Sequence, residues 1–543
     1  MKSVTSRAIH YAIAPMTKLC VPIMVESVDA ALADAQAAHG AGADLVELRL
    51  DRFTDDREAA VKLVNNCPLP CIVTIRPDWE GGEYDGDDAQ RIALIEYLGT
   101  TCTGPAYFDV ELAAYDRSAN LRQKVNLVVD HADQPRPTDT GLILSSHDFE
   151  RRPSDLIRRV QAMTEHQACR VVKLAWAARS LRDNLEAFEI IRDRHKPTIA
   201  LCMGEFGLPS RVLAKKFGAL LTFAASDESR GTAPGQPTID ELKSLYRWDA
   251  LNESTQVFGV IGDPVGHSMS PAIHNAGFDA IDYNGVYLPL RIPPEYEHFK
   301  ATVGSFLDHK PLDFRGASVT IPHKHNLLRF VEEMDGEIEP LAAQIGAANT
   351  LTVRDDGSLY ASNTDYAAAL DSVCDAMSID RAQLEGKRVA VLGAGGAAKA
   401  VVFGFAHYGA DVTTYNRTLE KAQELANATS TSAGSIEEVA SAEFDILINC
   451  TPIGMHPNVD ATPYDFTSIA FTGDPPLVFD TIYNPVETRL LREAKAAGCV
   501  TVSGVEMFVR QAAAQFTLWT GQPAPGERFR AVVLDRLTQR DDA

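Results

Sequence analysis

The sequence predicts an α/β protein of two units in series: a (β/α)8 barrel, then a second unit built on parallel sheet. Three observations carry this reading. Eight short, apolar, often β-branched segments recur through the first half, most of them separated by stretches of helical periodicity. The rhythm breaks over Asp240–Gln256, where ELKSLYRWDALNESTQ reads as a last helix and a polar linker. A fresh α/β run begins at Val257, and a glycine-rich turn after an apolar segment opens another parallel unit at Lys387. A chain of 543 residues exceeds one ordinary core, which agrees with two or three.

The predicted barrel strands are Cys20–Val25, Leu45–Leu50, Cys71–Arg76, Tyr107–Leu112, Gly141–Ser146, Arg170–Leu174, Thr198–Met203 and Leu220–Ala224. Ser27–His39 and Ser180–Arg194 are examples of the helices between them. Such barrels keep their chemistry at the C-terminal strand ends. The polar residues gather there: Glu47 and Arg49 in ELRLD, Arg76 and Glu80 in TIRPDWEGG, Asp109 in FDVEL, His147 in SSHDF, Lys173 in VKLA, Arg211 in MGEFGLPSR, and Thr232 and Gln236 in TAPGQ. Burying a lysine among apolar neighbours disfavours its charged form and makes it a nucleophile toward carbonyls. Taken singly, Lys173 reads as a strand-end lysine reaching solvent and His147 as a satisfied core histidine. Three arginines at the same end weaken both readings, because guanidinium forks suit a carboxylated, polyhydroxylated substrate.

In the second half, Val389–Leu392 leads into GAGGAAKA, which puts Gly393, Gly395 and Ala398 at the three places of a dinucleotide fingerprint. Gly396 and Ala397 lie in the same turn. A pyrophosphate would sit close to backbone at the start of the following helix. The next strand ends in Asn416, Arg417 and Thr418, where a site for the unphosphorylated ribose would carry an acid; Arg417 favours a 2′-phosphate and hence NADP. Upstream, GDPVGHSMSPAIHN holds Ser268 and Ser270 two residues apart, so in extended chain both hydroxyls face one side and can bind one carboxylate. VTIPHK supplies Thr320 and Lys324, GAANT supplies Asn349, and SNTD supplies Asp365. After Asp480 the chain is expected to end in helices, Glu487–Ala497 and Met507–Thr520, returning to the first lobe of this unit.

Composition excludes several classes. With 45% hydrophobic and 23% charged residues the chain reads as an ordinary soluble globular protein. A net charge of −23 argues against nucleic acid as a partner. No apolar run is long enough to span a bilayer. Nine dispersed cysteines without metal-ligand spacing read as reduced, so the expected location is the cytoplasm; a short organellar targeting segment within the acid-free Met1–Pro15 stays open.

The barrel motifs, over about residues 17–247, resemble those of type I 3-dehydroquinate dehydratases in order and spacing. The resemblance implies that Lys173 forms an imine with the substrate ketone, that His147 is general base then general acid, and that Glu80 orients His147. It also implies that Arg211 binds the carboxylate, that Thr232 and Gln236 line a closing loop, and that Glu47, Arg49 and Arg76 complete the polar wall. Thr232 stands where that family usually has Ser.

Residues 256–543, continuing through NCTPIGM, DTIYNP and GVEMFVRQAAAQF, resemble shikimate dehydrogenases. That implies a two-lobed dehydrogenase: a substrate lobe (256–370), a Rossmann NADP-binding lobe (385–485), and final helices (486–543). By the same resemblance Ser268 and Ser270 hold the substrate carboxylate, and Lys324 and Asp365 form the catalytic pair. Thr320, Asn349, Tyr483, Gln511 and Gln515 serve the substrate. Gly393, Gly395, Gly396, Ala397, Asn416, Arg417, Thr418, Thr451 and Met507 serve NADP(H). The expected partners are 3-dehydroquinate, 3-dehydroshikimate and shikimate, with no metal, in a monomer or homodimer. Three rivals are disfavoured: a quinate-type dehydrogenase using NAD by Ser268, Ser270 and Arg417, and a metabolite-sensing regulator without turnover or a chain with one working site by the presence of Lys173, His147, Lys324 and Asp365.

Overall fold

A computed structural model describes residues 16–129, 139–227, 231, 233–467 and 474–541. The chain divides into two compact units, meeting in sequence at Thr255 and Gln256.

The first unit is a (β/α)8 barrel. Its strands are β1 (Lys18–Met24), β2 (Leu45–Arg49), β3 (Cys71–Thr74), β4 (Tyr107–Glu111), β5 (Gly141–Asp148), β6 (Cys169–Ala177), β7 (Thr198–Met203) and β8 (Leu221–Phe223). They pair in parallel from β7 through β1 to β8, and Leu220 N donates to Thr198 O at 2.9 Å between the two end strands. Nearly every strand residue is buried, as expected when helices cover the outside and side chains fill the inside. Side-chain caps start three of the covering helices: Ser27 for Val28–Gly40, Asp56 for Arg57–Asn66 and Asp87 for Asp88–Thr101.

Some boundaries differ from the periodicity. β3 ends at Thr74, so Arg76 lies in the loop beyond it. β6 runs on to Ala177, which puts Lys173 in mid-strand. The last helix shrinks to a single turn, Glu241–Leu245, closed within two residues by Arg247 at φ 57°. Only short-range pattern was available there, and a residue in the left-handed region ends a helix.

The second unit has two lobes. The first carries β9 (Gln256–Gly262), β10 (Gly285–Arg291), β11 (Phe314–Val319), β12 (Glu337–Ile338), β13 (Thr350–Val353) and β14 (Leu359–Ser362), in the order β10-β9-β11-β13-β14-β12. The second is an all-parallel Rossmann sheet: β15 (Arg388–Leu392), β16 (Asp411–Asn416), β17 (Ser432–Ser435), β18 (Ile446–Asn449), β19 (Leu477–Asp480) and β20 (Val500–Val502), in the order β17-β16-β15-β18-β19-β20. The order in which its strands follow one another reverses between β15 and β18, the switch point where such sheets bind ligands. Two helices, Gly504–Thr520 and Gly526–Asp541, pack against the first lobe. Trp519 Nε1 donates to Leu351 O at 3.0 Å, and Phe529, Val533 and Leu537 join Phe258, Phe278 and Tyr287 in one core.

Candidate active sites

The inner face of the barrel is ionic where such barrels are usually aliphatic. Lys173 is 4% exposed, and its Nζ donates to Asp109 Oδ2 at 2.8 Å and to Glu47 Oε1 at 3.1 Å. The Phe223 ring lies beneath it, 4.6 Å from Nζ to centroid. Glu47 accepts a second bond from Thr74 Oγ1 at 2.8 Å. Arg76 Nη2 pairs with Asp109 at 2.9 Å. Burial alone would raise the Asp109 carboxyl, but Arg76 and Lys173 outweigh it and hold it well below the usual carboxylate range. The lysine is thus one member of a buried charge network.

Glu80 and His147 meet through a turn that only glycine permits. The RPDWEGG segment folds back so that Tyr84 N donates to Arg76 O at 3.1 Å. Gly81 stands at φ 73°, and a Cβ on Gly82 would lie 2.0 Å from Arg76 O. Glu80 Oε2 then accepts from the backbone N of His147 at 3.1 Å and lies 2.9 Å from its Nδ1. Burial, with Arg76 and Lys173 nearby, pushes the imidazole well below its ordinary value. Burial pushes the Glu80 carboxyl up to about 8. The contact is therefore a hydrogen bond between neutral groups near pH 7 rather than an ion pair. With Nδ1 turned to Glu80, the opposite ring nitrogen, Nε2, is left for the cavity that His147 lines.

Glu47, Arg49, Arg76, Glu80, His147, Lys173, Arg211 and Gln236 line a single cavity. Arg211 is brought there by the short helix Leu208–Val212, whose approach to β7 requires Gly207: a Cβ there would lie 2.3 Å from Cys202 O. Arg211 is 1% exposed, and among the described residues its Nε and Nη2 have no hydrogen-bond partner. Burial lowers it to about 10, so it stays cationic at neutral pH. Arg49 is held by Asp51, Nε at 3.2 Å and Nη2 at 2.5 Å. Thr232 lies outside the described residues.

The second site is a cleft between the two lobes of the second unit. Ser268, Ser270, Thr320, Lys324, Asn349, Asp365, Ala397, Tyr483, Met507, Gln511 and Gln515 all line it. Lys324 begins the helix Lys324–Glu333, and Asp365 lies in the first turn of Thr364–Met377, where helix dipoles favour negative charge. Lys324 Nζ donates to Asp365 Oδ2 at 2.6 Å, and Asn349 Nδ2 donates to Asp365 Oδ1 at 2.9 Å. The two serines are not in extended chain. Ser270 opens a helix and its backbone N donates to Ser268 Oγ at 3.2 Å, so a turn at the helix start, not strand alternation, brings them together. Gln515 is 1% exposed and bonded throughout, to Ser318 Oγ, Asn349 O and Thr350 Oγ1. Tyr483 stacks on Phe508 at the rim, ring centroids 5.0 Å apart.

The fingerprint turn is shaped to receive a dinucleotide. Gly393 takes φ 106°, and a Cβ on Gly395 or Gly396 would meet nothing within 4 Å, which leaves the N-terminus of Gly396–His407 open. Ala398 is fully buried against the sheet. Arg417 and Thr418 are exposed just past β16, and Asn416 Nδ2 donates to Thr418 O at 2.8 Å, tightening that turn. Thr451 Oγ1 donates to Asn449 Oδ1 at 2.7 Å beyond β18. Ala397 and Met507 face the same cleft as Lys324. Among the described residues, no group of three or more His, Cys, Asp or Glu is arranged to hold a metal.

Several polar residues at these sites escaped the sequence reading. Glu111 and Arg91 lie behind Arg76, and Ser145 Oγ donates to Asp109 Oδ1 at 2.5 Å. In the second cleft, Tyr287 Oη donates to Ser318 Oγ at 2.6 Å, and Ser318 Oγ to Gln515 Oε1 at 2.7 Å. Glu111 had a signal: it follows Asp109 by two in a strand, so both point to one face.

Fold and sites together define a two-site α/β enzyme, a lysine-centred lyase barrel joined to a dinucleotide-dependent oxidoreductase. Residues 19–253 match the type I 3-dehydroquinase family. Residues 260–351 match the shikimate dehydrogenase substrate binding domain, 376–472 shikimate/quinate 5-dehydrogenase, and 504–534 the shikimate 5′-dehydrogenase C-terminal domain. The chain belongs to the bifunctional 3-dehydroquinate dehydratase/shikimate dehydrogenase family: it is 39% identical over 531 residues to the chloroplastic protein of that name from Arabidopsis thaliana, spanning 94% of this chain and 83% of that one. Its second half is 42% identical over 293 residues to a shikimate dehydrogenase (NADP(+)) of Methanosarcina acetivorans, 52% of this chain and 99% of that one. A crystal structure of a shikimate dehydrogenase with NADP+ aligns at 33% identity and TM-score 0.48 over 53% of this chain and 97% of that one. No helix is long and apolar enough to cross a membrane among the described residues.

Proposed function

We propose that the barrel dehydrates 3-dehydroquinate to 3-dehydroshikimate and that the second unit reduces this product to shikimate with NADPH. The observation that carries the reading is the pairing of one buried lysine, held by Glu47 and Asp109, with His147 on the wall of the same cavity. The Lys173 amine adds to the substrate ketone and water leaves, forming an imine that draws electrons from the adjacent carbon. His147 Nε2 takes the proton from that carbon and returns it to the departing hydroxyl, which leaves as water. Hydrolysis of the imine frees the amine. The Arg211 guanidinium, buried at the same cavity, takes the substrate carboxylate. Gln236 lines the same cavity, and Thr232 is assigned to the substrate with it.

In the second unit NADPH supplies a hydride when bound. Gly393, Gly395, Gly396 and Ala397 would hold its pyrophosphate. Asn416, Arg417 and Thr418 would hold its 2′-phosphate, and Thr451 and Met507 would serve its nicotinamide end. Ser268 and Ser270 bind the substrate carboxylate, while Thr320, Asn349, Tyr483 and Gln511 orient the ring. Gln515 acts through Ser318 and Asn349. Lys324 delivers a proton to the carbonyl oxygen, and Asp365 aims it. The nine free cysteines fit a reducing compartment, and we assign both reactions to the cytoplasm, in a monomer or homodimer.

The test is NADPH oxidation by the purified chain given only 3-dehydroquinate. Steady oxidation after a lag, with shikimate formed, is expected. Silence there but activity with 3-dehydroshikimate would refute the barrel assignment, and silence with both would refute the reductase. Arg417→Ala is expected to raise KM for NADPH roughly 10- to 100-fold, the loss from removing hydrogen bonds to a charged group, with NADH little affected. Equal effects on both cofactors would exclude the 2′-phosphate role.

A further inference from the structure

One buried acid in the barrel has no part in this chemistry. Glu111 ends β4, is fully buried, and has each carboxylate oxygen taken by a guanidinium: Oε1 by Arg76 Nη1 at 2.5 Å, Oε2 by Arg91 Nη1 at 2.6 Å. Arg91 is also wholly buried; it donates to Ile75 O at 2.8 Å and to Asp88 Oδ1 through Nε at 3.2 Å and Nη2 at 2.9 Å. Asp88 reaches Arg117, which is 53% exposed. In the other direction Arg76 Nη1 also donates to Ser145 Oγ at 2.7 Å, and its Nη2 reaches Asp109, which holds Lys173. A file of alternating charge thus runs from the surface to the reacting lysine: Arg117, Asp88, Arg91, Glu111, Arg76, Asp109, Lys173. Barrel interiors are normally filled by branched aliphatic side chains, and burying ion pairs instead is a poor route to stability. The ions therefore call for a reason tied to the site.

We propose that Glu111 is a positioning residue for dehydration: by holding Arg76 Nη1 it sets the guanidinium plane so that Nη2 bridges Asp109, and it balances the Arg76 charge that Lys173, Glu80 and His147 feel. This rests on the dehydratase reading of the barrel. The charged groups around Glu111 are Arg76 and Arg91, with Asp88 behind Arg91 and Asp109 behind Arg76. Those acting on the His147–Glu80 pair are Arg76, Lys173, Asp109, Arg49 and Glu111 itself. Neutralising Glu111 removes a negative charge and leaves Arg76 less compensated. Both changes favour the ionised Glu80 and disfavour a protonated His147, so the pair's titration moves to lower pH.

The test uses the full chain with Glu111→Gln and Glu111→Asp, reading kcat and KM for dehydration across pH and the reductase activity of the same preparation. For Glu111→Gln, dehydratase kcat is expected to fall roughly tenfold or more, as for a misplaced catalytic group, with KM changed less. The pH-profile limb set by the His147–Glu80 pair should move down by about 1 unit. Glu111→Asp should recover part of both, reductase should be unchanged, and borohydride should still trap substrate on Lys173. A wild-type profile, or a rate loss equal in both variants with an unmoved profile, overturns the proposal. If Glu111→Gln gives neither trapping nor cooperative melting of the barrel, Asp88→Asn at the outer end of the file decides: a smaller shift in the same direction is expected, and no shift overturns it. No dehydration by the unsubstituted chain would instead sink the barrel reading itself.

Discussion

Lys173→Ala should abolish dehydration while shikimate formation from 3-dehydroshikimate continues at the wild-type rate. Loss of a covalent nucleophile costs on the order of 10⁴-fold or more. No neighbour can take the role, because the groups nearest Lys173 are carboxylates and the remaining cations are guanidinium groups, which do not form imines with ketones. The substitution also leaves Glu47 and Asp109 buried without their shared cation, so the barrel should lose stability. The reductase activity of the same polypeptide reports that the second unit is intact, and a thermal melt reports the state of the barrel. Borohydride added during turnover should give a covalent adduct on the wild-type chain and none on the variant. Dehydration retained above about a hundredth of the wild-type rate in a folded variant would mean that the reaction does not pass through the imine.

The mirror-image result is expected from Lys324→Ala. Reduction should fall on the order of 10²- to 10⁴-fold, the usual contribution of a positioned proton donor, while dehydration is untouched. Asp365→Asn should fall within the same range but less far, since Asn349 and Thr364 still hold the position while the charge that aims Lys324 is gone. NADPH binding, read by its fluorescence, should be unchanged in both. A Lys324→Ala chain keeping more than about a tenth of kcat would remove the proton-donor role, and a matching loss of dehydration would point to general damage.

Much of this was legible from letters because it is local. Short apolar runs at regular spacing specify barrel strands whatever their neighbours. Gly393, Gly395 and Ala398 mark a phosphate-binding turn because close backbone approach is a property of the turn itself. Glu80 could be placed in a glycine turn, but its partner came only from the family resemblance and from no spacing along the chain. That Oε2 meets His147, 67 residues later, depends on how the β3 loop folds over the end of β5. The two serines show the same limit: the spacing of Ser268 and Ser270 was noticed, yet the backbone joining them is a helix start and not a strand.

The sequence by itself determined the fold class and the order of the strands, since alternation and strand order follow from local preference and chain connectivity. Only the tertiary structure decided which side chains became partners. Register sets Thr74 beside Asp109 and Ser145 beside Lys173, and so decides that the lysine sits between two carboxylates and that Glu111 grips Arg76. Those pairings join residues from separate strands at buried positions, where electrostatics depends on distances of a few ångströms that no spacing along the chain encodes.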